Sequence, residues 1–590
     1  MKPNHLRWKI GGQAGYGIMS IGQTISRAFS RGGFFVVGYP EYPSLIRGGH
    51  NTTAVRISED PVFSVDHKVE VLVALNKETV EVDLPEVIPG GAVIYDPSDY
   101  TEDPIKLRSD VLWVAIPMTQ IVKEHTGERV MRNMIATGAT MGLVHYPFER
   151  LETAIREGFA KKGEEVIAKN VEIARIGYET AKESAIAGKF PLTMTPVEKP
   201  RSHLFLGGNS AIALGALSAG VQFVAGYPMT PSSSILMDMA KVEQRYGVIF
   251  KQTEDELAAM NMICGAAFAG ARALTATSGG GFSLMVEALG MAGIMELPVV
   301  VVEGQRPGPS TGLPTWTSQG DLLFVISASQ GESPRLVLAP GDVNECYYET
   351  AKVFNLADKY QLPVILLMDK HIGETYVSVE PFDQNKVQIE RGQLLSPEQA
   401  SKMMQDKGWT QFKRHEVTDS GVSPRVIPGT PGSPYICSSY EHDETGWTTE
   451  ESDKVKAQYD KRMRKLEGLL HDIPGPTWFG PEDAPLTVVC WGSTRTAALQ
   501  AMEDLAADGI MLNVLHFTYL FPFKAAETIT ALQKTQQVLN VEGNATAQFA
   551  QLVRTHTGIE FEQHLLKYDG RPFFPEDIVN KVKDLLIKSK

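Results

Sequence analysis

The chain has 590 residues, of which 43% are hydrophobic and 21% charged, and a formal net charge of −14. That length exceeds what a single hydrophobic core supports, and the composition is that of a globular protein rather than a disordered one. The acidic balance argues against nucleic acid as a partner, because phosphate binding needs a basic face, and no apolar run approaches the roughly 18 residues of a membrane span.

The N-terminal segment MKPNHLRWKIGGQ lacks the apolar stretch of a secretory signal, which makes a cytoplasmic location the expectation. Four cysteines at 264, 346, 437 and 490 are too scattered to form an iron–sulfur or zinc ligand set, so no metal site is expected in this chain.

In chain order, a first block covers residues 1–190. A short strand at Trp8–Ile10 leads into the glycine-rich turn GGQAGYG (11–17), followed by an apolar-periodic helix through Ile18, Ile21, Ile25 and Phe29. Strand-like runs follow at 34–37, 52–58, 69–75 and 111–116, and helical patterns cover 131–144 and much of 151–187. This alternation predicts a mainly parallel α/β sheet. Residues 191–203 are proline-rich and polar and read as a linker.

A second α/β block spans 204–375, with strands at 221–227, 273–278, 298–305, 335–340 and 363–369. From 376 to 484 the pattern breaks down around PGTPGSP (428–434), as in a long crossover segment packed on a neighbour. A third α/β block occupies 485–590, with strands at 486–492, 511–517 and 537–543.

The turn at 11–17 has the spacing G-x-x-G-x-G, not the dinucleotide fingerprint, so it reads as an anion site at a helix start or as a purely structural turn. In the second block, YPMTPSSS (227–234) ends a strand and opens a helix. Its prolines aim the Thr230 hydroxyl outside the carboxyl end of the sheet, where such sheets bind ligands, although a proline turn with serine caps gives the same pattern. Glu256 opens the next helix, a position also favoured by the helix dipole alone. The run ATSGGG (276–281) lets a ligand approach bare backbone, and Arg306 in EGQRPGPSTGLPT (303–315) suits capture of a carboxylate or a surface ion pair.

Together these three pieces closely resemble the pyrimidine-binding domain of the 2-oxoacid:ferredoxin oxidoreductases, in which Y-P-[IM]-T-P-S-S, a helix-starting Glu, T-S-G-P-G and Q-R-x-G-P-S-T-G-x-P-T occur in this order. Gly280 stands where the family usually has proline. GGQAGYG and RGGH (47–50) are similar to the family's gamma domain, and VEGNATAQFAQLVR (541–554) to its transketolase C-terminal-like domain. The resemblance implies a multidomain α/β chain: a gamma-type α/β domain, then a thiamine-diphosphate-binding domain of the pyrimidine type, then a transketolase C-terminal-like domain.

It further implies that Glu256, with Glu254 as rival, hydrogen-bonds the aminopyrimidine of thiamine diphosphate. Tyr227, Pro228, Thr230, Ser278 and Gly279 would line the cofactor, Thr230 and Arg306 would contact a 2-oxoacid, and Arg47 would meet a second carboxylate. The diphosphate-anchoring G-D-G…N stretch is missing, so Mg²⁺ and a [4Fe–4S] cluster are expected in a beta-type partner subunit, with a dimer of alpha–beta pairs as the assembly. The expected reaction is the reversible, coenzyme A-dependent oxidative decarboxylation of 2-oxoglutarate to succinyl-CoA, with electrons passed to ferredoxin. Pyruvate or branched-chain 2-oxoacids, or a non-catalytic scaffold of such a complex, are the alternatives.

Overall fold

The computed structural model describes residues 1–588 apart from 46–47, 101–103, 126, 185 and 199. The chain divides into two compact units. The first comprises Met1–Gly207, Glu374–Pro381 and Phe574–Lys590, and the second Gly208–Gly373 and Phe382–Phe573.

The first unit is built on an eight-stranded sheet in the order Leu112–Ala115, Val87–Tyr95, Val69–Ala74, His5–Ala14, Gly48–Ser58, Phe35–Glu41, Tyr376–Val379 and Leu204–Gly207. The first four strands are parallel to one another, and every pairing beyond them is antiparallel. The expectation of a mainly parallel sheet therefore holds for one half only. Phe35–Glu41 and Gly48–Ser58 follow each other in sequence and pair directly, which antiparallel strands can do without a crossover helix. The first strand is also longer than its pattern suggests. It runs through Gly11 and Gly12, paired with Thr52 and Asn51, and leaves the turn to Gly15–Gly17.

The helix Ile18–Arg31 buries Ile18, Ile21, Ile25 and Phe29 against this sheet, each contributing about 1.5–3 kcal/mol as it leaves water. The helix Arg132–Leu143 is buried on all sides and meets Glu164–Lys182 backbone to backbone. A Cβ at Gly138 would stand 1.8 Å from the carbonyl oxygen of Ala174. No helix among the described residues is long and apolar enough to cross a membrane.

In the second unit, Leu336–Leu338, Val364–Asp369, Val299–Gln305, Ala273–Ser278, Phe223–Gly226 and Ile249–Gln252 form a parallel sheet. Tyr519–Phe521 adds an antiparallel edge. A five-stranded sheet follows in the order Thr477–Phe479, Asn513–Phe517, Thr487–Trp491, Val538–Glu542 and Gln563–Leu566. One apolar core runs from Ala225, Val301 and Leu367 into Trp491, Leu515 and Phe549, so the second and third sequence blocks are packed together.

The irregular segment is fastened to this unit by Glu296, which is fully buried and paired with Lys461 Nζ at 2.6 Å, Lys465 Nζ at 2.5 Å and His415 Nδ1 at 2.8 Å. Glu296, His415 and His442 stand close enough to share a cation. The two lysine ammonium groups already supply that positive charge, which makes the cluster a structural clasp. Residues 437–446 (CSSYEHDETG) pack here, with the His442 ring against that of His415.

Candidate active site

The site lies at the carboxyl ends of Ala273–Ser278 and Val299–Gln305, the edge at which open α/β sheets receive ligands. Ser278 and Gly304 are register partners across these strands, as are Thr277 and Glu303. Pro231, which follows Thr230, packs on Gly304, where an added Cβ would stand 3.0 Å from its Cγ. Arg306, just beyond the strand, donates from Nη1 to the carbonyl oxygen of Thr230 at 2.8 Å. The YPMTPSSS and EGQRPGPSTGLPT motifs are thus joined directly.

The Tyr227–Ser234 loop is held from beneath by Asn209, a residue that sequence reading passed over. It is buried at the start of Gly208–Ser218, and its Nδ2 donates to Pro231 O at 2.8 Å and to Ser234 Oγ at 2.7 Å. The one signal available was an asparagine at the head of an otherwise apolar helix. Tyr227 and Pro228 are exposed, and Thr230 is partly buried.

Glu256 and Glu254 separate cleanly. Asp255 caps the helix Glu256–Phe268 by accepting from the Ala258 N–H at 2.7 Å, and this phase turns Glu256 inward to 3% exposure while Glu254 faces solvent. Glu256 Oε1 has no hydrogen-bond partner within the chain, nor have Thr277 Oγ1 and Ser278 Oγ, although all three are buried. A Cβ at Gly281 would lie 2.6 Å from Glu256 Oε1 and 2.2 Å from Thr277 Oγ1, so this glycine admits both side chains to one spot. Gly280, the departure from the family pattern, has open space where its Cβ would be.

Buried polar atoms left unpaired cost about 1–3 kcal/mol each, so this group suits a ligand that brings donors and acceptors of its own. An aminopyrimidine ring meets that requirement, and thiamine diphosphate fits the residues present.

Behind Arg306 stand two further carboxyl groups. Glu303 is wholly buried in the strand, and neither of its carboxyl oxygens has a conventional donor. Asp321 sits over Gly279, where an added Cβ would lie 2.8 Å from Oδ2, and its N–H donates to Gln305 Oε1 at 3.1 Å. Burial, reinforced by the neighbouring Asp321, pushes Glu303 well above the usual carboxylate range. Burial also raises Asp321 to about 6. The Arg306 guanidinium is drawn below its ordinary value by burial, against the opposing pull of Glu303 and Asp321.

Arg47 lies outside the described residues. His50, from the same motif, is tied into a structural network in which its Nε2 meets Asp83 at 2.8 Å while Lys9 bridges Asp83 and Glu86 at 2.8 and 2.6 Å.

Comparison with known proteins agrees with this geometry. Residues 7–180 match the family described as pyruvate ferredoxin/flavodoxin oxidoreductase, and residues 214–461 match pyruvate flavodoxin/ferredoxin oxidoreductase, thiamine diP-bdg. Residues 481–563 match the transketolase C-terminal domain. The 2-oxoacid:ferredoxin oxidoreductase 2 subunit alpha of Aeropyrum pernix is 33% identical over 98% of this chain and 97% of its own. The 2-oxoglutarate synthase subunit KorA of Methanothermobacter thermautotrophicus is 33% identical over 64% of this chain and 97% of its own. Among solved structures, the 2-oxoglutarate:ferredoxin oxidoreductase from Magnetococcus marinus, with 2-oxoglutarate, coenzyme A and succinyl-CoA bound, aligns with a TM-score of 0.91 at 32% identity. That alignment covers 99% of this chain and all of the other. With the thiamine-diphosphate-binding fold, the converging motifs and relatives over its whole length, the chain belongs to the 2-oxoacid:ferredoxin oxidoreductase family, as an alpha subunit.

Proposed function

We propose that this alpha subunit acts on 2-oxoglutarate, forming succinyl-CoA and carbon dioxide with electrons passed to ferredoxin, and that it does so only with a beta subunit. The observation that carries the substrate choice is the whole-length likeness to an enzyme solved with 2-oxoglutarate and succinyl-CoA. The chemistry itself is carried by the buried, unpartnered carboxyl oxygen of Glu256 beside the Thr230–Arg306 contact.

When bound, thiamine diphosphate supplies an electron sink for the loss of carbon dioxide from a 2-oxoacid. Glu256 offers its free oxygen to a ring nitrogen and fixes the proton there, with the hydroxyls of Thr277 and Ser278 as further contacts. Arg306 binds the 2-oxoacid carboxylate through the N–H groups not spent on Thr230 O, and that bond fixes the direction of its fork. The Thr230 side chain is positioned by Pro231 and Asn209 and meets the substrate. Arg47, by its place in the RGGH motif, is the candidate for the second carboxylate.

A partner is supported by the surface chemistry of the second unit. The helices Glu256–Phe268 and Gly279–Ile294 are apolar nearly all round, yet Leu257, Met262 and Leu284 on them are exposed. Helices of that composition are covered on both sides in a finished assembly. Mg²⁺ and a [4Fe–4S] cluster belong to that partner in this reading, and a dimer of alpha–beta pairs is the assembly. The test is 2-oxoglutarate- and coenzyme A-dependent reduction of methyl viologen by the chain co-expressed with its partner, with pyruvate and branched 2-oxoacids in parallel. Turnover of 2-oxoglutarate by the complex alone is the expected result. Preference for another 2-oxoacid contradicts the substrate, and inactivity of a cluster-loaded complex with all of them returns the scaffold reading.

A further inference from the structure

Glu303 lies near the end of the buried strand Val299–Gln305 and Asp321 at the N-cap of the short helix Leu322–Ser327, on the side of the site where Arg306 must hold its position. Nothing in the family motifs gives them a role. Their carboxyl groups interact with each other, Glu303 is fully buried, and neither Glu303 oxygen receives a hydrogen bond from an ordinary donor. A contact between two carboxyl groups is attractive only when one of them carries a proton, because two like charges in a dry site cannot both ionise.

The geometry also says which of the two is charged. Asp321 Oδ2 lies over Gly279, the first residue of the 16-residue helix Gly279–Ile294, whose Ser278 N-cap makes no side-chain bond to the helix. A helix N-terminus favours a negative charge. Glu303 sits within the sheet between Thr277 and Leu367 and has no such support. Arg306 pulls Glu303 toward ionisation, but burial and Asp321 outweigh it, and Asp369 adds a like charge that further disfavours ionisation there.

We propose that Glu303 and Asp321 form an acid pair sharing one proton, and that its single negative charge, on the half-buried Asp321, is the counter-ion that keeps the guanidinium of Arg306 docked on the carbonyl of Thr230. Protonated Glu303 keeps its proton and donates a hydrogen bond to the Asp321 carboxylate, and Asp321 supplies the field. Both are positioning residues, acting on substrate through Arg306. A half-buried guanidinium with only one neutral acceptor would otherwise move toward water. The charge is lost when Asp321 is protonated, which happens as pH falls through about 6.

This inference rests on the reading that Arg306 binds the 2-oxoacid carboxylate, and the experiment tests the two separately. In the complex with the cluster-bearing partner, kcat/KM for 2-oxoglutarate is measured by methyl viologen reduction from pH 5 to 8. Wild type should fall about tenfold from its plateau to pH 5, as a single group of pKa near 6 requires, and the fall should lie in KM for 2-oxoglutarate and not in KM for coenzyme A. Asp321→Asn mimics the protonated acid, so its kcat/KM should be flat over pH 5–7 and at least tenfold below wild type at pH 7. Glu303→Gln keeps a donor to Asp321 and should retain both the wild-type level and the limb near pH 6. Glu303→Ala removes that donor and should move the limb upward, which keeps the test decisive if Asp321→Asn fails to assemble. Arg306→Ala is measured alongside. If it leaves KM for 2-oxoglutarate unchanged, the site reading itself fails. If it raises KM while Asp321→Asn and Glu303→Ala keep the wild-type pH profile, the acid-pair proposal alone is overturned.

Discussion

Arg306 Nη1 donates to the main-chain carbonyl of Thr230 across 2.8 Å, joining the loop after Val299–Gln305 to the loop after Phe223–Gly226. Each loop on its own is compatible with an ordinary turn. The bond between them makes a rigid corner with a cation on one side and a hydroxyl on the other.

Replacing that cation tests the corner. Arg306→Lys keeps the charge but loses the fork, and Arg306→Ala loses both. A charged hydrogen bond contributes about 1.5–3 kcal/mol, so KM for the 2-oxoacid should rise about ten- to hundredfold for Arg306→Ala and by a smaller factor for Arg306→Lys. KM for coenzyme A should stay near wild type in both. Steady-state viologen reduction by the partnered complex measures each.

The glycine run 279–281 separates tight positions from open ones. Gly281→Ala would place its Cβ 2.2 Å from Thr277 Oγ1 and 2.6 Å from Glu256 Oε1, so Glu256 must move. Activity should fall at least tenfold, since small misplacements at a reacting centre carry penalties of that size. At Gly280 an added Cβ meets no atom within 4 Å, and the position falls in the first turn of a helix, where proline is tolerated, so Gly280→Pro is the contrasting variant. It should fold, retain activity and show unchanged or slightly raised thermal stability.

A pH effect on stability follows from Glu303. Its folded pKa lies above its unfolded one, with burial as the first cause, so folding takes up a proton. Native stability contributed by this group is therefore fully present below the ordinary carboxylate range and is lost as pH climbs toward the raised value. Glu303→Gln removes the dependence. Its melting temperature should gain on wild type as pH rises from about 5 to 8, and parallel melting curves across that range would contradict the assignment of the proton.

The clasp at Glu296 gives a structural control. Glu296→Gln strands two buried ammonium groups, Lys461 and Lys465. Breaking a buried ion pair from one side costs about 3–5 kcal/mol. The variant should melt earlier by scanning calorimetry and loosen the 382–472 segment first, which hydrogen exchange can locate.

Much of the site was legible because its signals are local. A strand end followed by prolines, a helix opened by Glu256 and a glycine run each declare themselves within about ten residues, and all stand where the α/β pattern puts the carboxyl edge of the sheet. Glu303 was hidden because a glutamate after VVVV reads as the polar end of a strand, and nothing in the sequence shows that Asp321, 18 positions later, returns to meet it. The first sheet was misjudged for a similar reason. Tyr376–Val379 joins Phe35–Glu41 across more than 330 residues, and Val87–Tyr95 is interrupted by Pro-Gly-Gly, which resembles a turn. Ile249–Gln252 is a partly exposed edge strand with no apolar run to mark it.

The measurement that bears most directly on the central claim is 2-oxoglutarate-dependent viologen reduction by the partnered complex carrying Glu256→Gln or Glu254→Gln. The buried Glu256 should be indispensable, with at least a hundredfold loss of kcat, the scale of a lost proton-holding group, while the complex still assembles. Glu254→Gln, altering an exposed side chain, should stay within a factor of about two of wild type. Full activity in Glu256→Gln, or loss confined to Glu254→Gln, would contradict the site described here.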